Sequence, residues 1–103
     1  MADKLHTLPA VTISAAGTRV QITTVETGAV SVIIQGDADN TGSIFVGDSS
    51  VTAASGIEIV ANETVEISPP GVNGAREGLI LSDLYVDADT SGNKARISYL
   101  KRR

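Results

Sequence analysis

Two acidic stretches hold the side chains best suited to chemistry. DADNTG at 37–42 and DADTSG at 87–92 each place two aspartates one residue apart, then a hydroxyl side chain, then a glycine. A calcium loop needs oxygen ligands at positions 1, 3 and 5, glycine at 6 and a carboxylate at 12. The first stretch supplies Asp37, Asp39, Thr41 and Gly42, and Asp48 stands at its twelfth position. The second supplies Asp87, Asp89, Ser91 and Gly92, but its twelfth position is Ser98. Such loops also need a helix on each side, and both stretches lie between β-rich segments. Turn chemistry accounts for the same residues. Aspartate and asparagine bond their own backbone nearby, and glycine reaches the positive φ that turns demand. Both stretches are therefore expected as hairpin turns at the ends of the fold. Asp37, Asp39 and Asp48 stand as the candidate ligands of a cation site outside the EF-hand class, and no cofactor is expected.

Catalytic chemistry has few carriers. His6 is the only histidine, and there is no cysteine. A base must be held beside its partner in a pocket, and His6 falls in an N-terminal stretch without a clear period, where it is expected to be solvent-exposed. The nucleophile elbow G-x-S-x-G and the phosphate loop G-x-x-x-x-G-K-[ST] are absent. The carboxylates at 37/39 and 87/89 make poor acid–base pairs unless their turns fold them together. No catalytic residue is named, and the expectation is a protein that is not an enzyme.

The elements that would position these residues are strands. Hydrophobic residues make up 42% of the 103, but aromatics only 3%. The apolar set is thus mostly valine and isoleucine, which fit a pleated, half-buried surface. Period-two alternation marks 18–23, 29–35, 43–47, 57–60, 64–68, 79–86 and 95–100, with a shorter candidate at 11–14. One helical turn is expected at 51–54. Pro69 and Pro70 open the breaker-rich stretch 69–78. Seven to eight short antiparallel strands at this spacing predict an all-β fold, a single β-sandwich (jelly-roll-like) or small barrel. The expected organisation is an extended N-terminal arm at 1–10, read from sequence first as a frayed terminus and second as an arm reaching a neighbouring subunit, and one β-sandwich domain at 11–103.

Charge narrows the partners. The net charge is −4, which opposes nucleic-acid and anionic-membrane binding. Lys101-Arg102-Arg103 is the one basic cluster. No apolar run approaches the roughly 18 residues a membrane helix needs, and the first residues lack the apolar stretch of a secretory signal. Tyr85 and Tyr99 lack the basic groove of a single-strand-binding platform. Two classes remain ahead of an enzyme: a structural or assembly protein, and a ligand-binding module such as a carbohydrate binder. The shortage of aromatics disfavours the carbohydrate binder.

The order of segments adds a resemblance. Phe45-Val46-Gly47, then Val51-Thr52-Ala53-Ala54 with Gly56, then Leu84-Tyr85-Val86 and its return strand resemble a pattern in small tailed-bacteriophage virion proteins. The resemblance spans residues 28–100. It implies a head decoration or cement protein of the capsid surface, made in the host cytoplasm and carried on the virion. Its partners would be the major capsid protein and copies of itself, with a trimer as first expectation. A tail or fibre component, as adaptor or receptor-binding module, is the alternative the same resemblance allows.

Overall fold

The fold follows from where the alternating residues can hide. A computed structural model describes residues 3–68 and 79–102. The breaker-rich stretch 69–78, the first two residues and Arg103 of the basic end lie outside the described residues. The strands in chain order are β1 (Asp3–Thr12), β2 (Val20–Gln21), β3 (Gly28–Ala29), β4 (Ser31–Gly36), β5 (Ile44–Gly47), β6 (Ile57–Ile59), β7 (Thr64–Ile67), β8 (Leu79–Ile80), β9 (Tyr85–Ala88) and β10 (Lys94–Arg102). They form two four-stranded sheets, ordered β1-β10-β4-β7 and β2-β9-β5-β6, and a small β3–β8 ribbon. All ladders between these strands are antiparallel. The all-β expectation holds, and the two separately paired sheets make a sandwich.

The core lies between the sheets. On β4, Val32 and Ile34 are fully buried and face it, while Ile33 and Gln35 point outward. Ala95, Ile97 and Tyr99 do the same on β10, Ile44 and Val46 on β5, Val86 and Ala88 on β9, and Ile59 on β6. These residues form one cluster with Val11, Ile13 and Leu81. Phe45 belongs to the opposite face of β5, as its place in the alternation requires, yet it is also buried.

Three expectations change. Residues 1–10 do not form a free arm. From Asp3 to Leu8 the chain pairs residue by residue with β10, Asp3 opposite Arg102 and Leu8 opposite Ile97. After a bulge the pairing resumes at Val11 opposite Ala95. Joining a ladder satisfies backbone groups that a frayed end would leave to water. Residues 79–86 are not one strand, because a 3₁₀ turn at Leu81–Asp83 interrupts them and buries Leu81. Residues 51–54 form no helix. The loop closes by two tight turns, with Val51 N donating to Asp48 O and Ser55 N to Thr52 O, both at 3.0 Å.

Ile97 sits on a central strand at 1% exposure, so its truncation leaves a cavity that neighbours on both sheets cannot fill. Ile97→Ala should lower the unfolding free energy by about 2–5 kcal/mol, measured by urea denaturation.

Candidate functional site

The two DADxxG stretches are not hairpins. The first leaves β4 in one sheet and enters β5 in the other; the second leaves β9 and returns to β10. Each is an arch across the edge of the core. Because β4 pairs with β10 and β5 with β9, both antiparallel, the two arches stand side by side at one end of the sandwich. Local turn chemistry was read correctly, but the destination of the following strand was not.

Their side chains knit the arches together. Asn40 Nδ2 donates to Lys94 O at 2.9 Å, and Lys94 N donates back to Asn40 Oδ1 at 2.8 Å. Thr41 N donates to Asn93 Oδ1 at 3.3 Å. Asp89 Oδ1 accepts from Ser43 N at 2.9 Å and from Thr90 Oγ1 at 3.1 Å. Ser43 Oγ in turn donates to Glu58 Oε2 at 2.7 Å. The connection from β1 to β2 joins the same end: Gly92 N donates to Ile13 O at 2.8 Å, and Ile13 N to Asn93 O at 2.9 Å.

The two glycines do different work. Gly92 has φ +91, the left-handed conformation its turn requires. Gly42 is needed for space instead, since a Cβ there would meet Asp89 Oδ1 and Thr90 Oγ1 on the neighbouring arch.

The candidate cation ligands are dispersed. Asp37 Oδ1 pairs with Arg96 Nε at 2.9 Å, and its Oδ2 accepts from Asp39 N at 3.2 Å. The Arg96 hydrogen bond, helped by the Asp39 amide, holds the Asp37 carboxyl below the usual carboxylate range. Asp39 is exposed. Asp48 lies past the far end of β5, about 13 Å along the strand from the arch. Its Oδ1 accepts from Ser50 Oγ at 2.6 Å and Ser50 N at 2.9 Å. The hydroxyl first, then the amide, lowers its carboxyl too. No group of three metal-ligating side chains gathers among the described residues. Asp37 thus serves Arg96 and the turn at Asp39, and Asp48 serves the turn at Ser50.

Asp87 has another task. It is 1% exposed, and its Oδ1 accepts from Gly17 N at 3.0 Å and from Ala88 N at 2.7 Å. This clasps the β1–β2 connection against β9. His6 departs from the exposed position expected of it. It is half-buried, and its ring stacks on Tyr99 across the β1–β10 ladder with centroids 5.0 Å apart and an 11° interplanar angle. It makes no hydrogen bond to a hydroxyl or carboxylate among the described residues.

Sequence reasoning missed Asn40, Asn93 and Arg96. The two asparagines would have been found by treating the DADxxG stretches as a pair rather than singly. Arg96 has no such signal, since its partner lies 59 residues away. The chain matches no known protein family, no curated protein and no solved structure.

Two outcomes test this end of the molecule. Gly42→Ala should destabilise the fold by about 1–3 kcal/mol, because the added methyl group overpacks the arch contact; urea melts measure it. Asp37→Asn should melt below the parent at pH 7. Because the folded Asp37 pKa is depressed, its contribution is full above the unfolded value of about 3.9 and disappears as pH falls through the folded value. The gap between the melting temperatures of variant and parent should therefore close in acid.

Proposed function

We propose that this protein is a non-enzymatic virion structural protein, a head decoration or cement protein that binds the outer capsid surface and stabilises the shell. The observation that carries this reading is the wrapping of the two sheets. Among the eight strands of the main sheets, each link in chain order changes sheet except the β5–β6 hairpin. Counted without the β3–β8 ribbon, the sheets run first-eighth-third-sixth and second-seventh-fourth-fifth. That wrapping supports a jelly-roll-like reading, and jelly rolls recur in viral capsid and lectin domains. Because one fold hosts many functions, the reading joins this wrapping to the ordered motifs.

The position of the resembling motifs adds to it. Phe45-Val46-Gly47 lies on β5, the V-T-A-x-x-G loop joins β5 to β6, and Leu84-Tyr85-Val86 runs into β9. These motifs meet on one sheet. Gly56 takes φ +96 and leaves no room for a Cβ against Val46 O, so the loop's glycine is set by contact with that sheet.

A covering protein works by burying area on its neighbours, and many weak contacts on a lattice combine through effective concentration. The surface offers material for this. Leu5, Val25, Ile57, Val60 and Ile80 are exposed apolar side chains. Among the described residues, strands β1, β7, β2 and β6 each have a neighbour on one side only, and symmetric assembly, a trimer in the first instance, would cover such edges. The second reading is a tail or fibre component acting as an adaptor or receptor-binding module, since jelly rolls recur in lectin domains as well.

Capsids purified without the protein test the first reading. The purified protein should bind them and raise their resistance to heat or chelator. Failure to bind, or binding without added resistance, overturns cementing. A stoichiometry in virions far below that of the major capsid protein would favour tail or fibre.

A further inference from the structure

An open depression of about 660 Å³ lies on the outer face of the β1-β10-β4-β7 sheet. Its volume falls within the roughly 300–1,000 Å³ of ordinary ligand sites. Every strand of the sheet contributes to its wall: Thr7 from β1, Arg96 and Ser98 from β10, Gln35 from β4 and Thr64 from β7. The trough therefore crosses the strands rather than following one of them. Three inter-strand spacings make it roughly 14 Å long, the span of about four residues of extended peptide.

The lining specifies the chemistry. Three hydroxyls and an amide share the wall with four apolar residues, Leu8, Ala10, Ile33 and Ile97. At the arch end stand two cations, Lys94 and Arg96, and one carboxylate, Asp37. The Asp37 bond uses only the Nε of Arg96. That bond steers the guanidinium and leaves its terminal nitrogens without a hydrogen-bond partner among the described residues. The Arg96 side chain is 62% exposed, against 11% for Asp37, so the fork is the part that meets solvent. The Lys94 ammonium likewise has no hydrogen-bond partner among the described residues. An aimed guanidinium fork beside an ammonium is a receptor for carboxylate. No aromatic ring lines the trough to stack a sugar.

From this geometry we infer that the trough binds an extended acidic segment of a partner polypeptide, one carboxylate seated on Arg96 and Lys94 and the chain crossing the four strands over Gln35, Ser98 and the two threonines. The inference does not depend on the virion reading. It also places the attraction on a protein whose net charge of −4 would otherwise repel an acidic partner.

The experiment uses a blocked tetraglutamate peptide as probe, followed by amide chemical shifts of the full chain. Blocked tetraglutamine, trigalacturonate and inorganic phosphate serve as comparisons. Tetraglutamate should shift the amides of Thr7, Gln35, Arg96 and Ser98, and the effect should weaken with salt. Arg96→Gln should reduce affinity about tenfold, the scale of one charge-assisted contact. Lys94→Gln and Ser98→Trp leave the Asp37–Arg96 pair in place. They should weaken binding by removing the second cation and by filling the trough, with melting temperatures near the parent's. Shifts that are absent or fall elsewhere overturn the inference. So do equal shifts with tetraglutamine, binding indifferent to Lys94→Gln and Ser98→Trp, or shifts from trigalacturonate or phosphate without tetraglutamate.

Discussion

Two chain crossings packed against each other hold the rest of this structure in place. A strand that leaves one sheet for the other takes its backbone out of the ladder, and its N–H and C=O groups must find partners elsewhere. Here the partners of one crossing are supplied by the other. The Asn40–Lys94 exchange, the Thr41 amide on Asn93 and the Ser43 amide on Asp89 are each bonds from one arch to its neighbour. Asp37 adds an ionic contact from the first arch to the strand that leaves the second. The register of β4 on β10 and of β5 on β9 is therefore held from outside the sheets as well as within them.

The same crossings mark where the sequence stopped being legible. Alternation located the strands at 43–47, 57–60, 64–68 and 95–100 because each has one face in a common core, and it located β4 within 29–35, where a bend at Val30 sets Ala29 apart in the β3–β8 ribbon. It carries no information about which sheet receives the next strand. Asp, Asn and Gly favour a change of direction whether the chain turns back on its neighbour or steps across the core, so DADNTG looked like a hairpin. The N-terminal strand was hidden for a different reason. Leu8 packs against the core and Val11 is buried within it, three positions apart and so out of phase in a regular strand. The bulge between them restores the phase in space while breaking it in sequence. Arg96 was invisible as a site residue because its role depends on a partner from a remote arch. The cation candidates were visible as residue types and misleading as a group, since β5 carries Asp48 away from Asp37.

The two faces of the sandwich are finished differently. On the β2-β9-β5-β6 sheet, Phe45 and Asp87 sit opposite each other on the face away from the core, and both are buried. The loop held by Asp87 contributes to that closure. The outer face of the β1-β10-β4-β7 sheet keeps its polar side chains open across all four strands. A protein whose work is recognition needs one surface free to meet a partner and a scaffold stiff enough to present it. The closed sheet and the knitted arches supply stiffness beneath the open one.

The pairing of β1 with β10 has a mechanical consequence. Asp3 lies opposite Arg102, and the ladder runs from there toward the arches. A load pulling residues 3 and 102 apart acts across the hydrogen bonds at that end, so it peels the ladder one pair at a time. A load pulling Asp3 against the arch end acts along the strands and strains many bonds together. The molecule is thus soft in one direction of tension and stiff in another, and the direction of the load decides which of the two it shows.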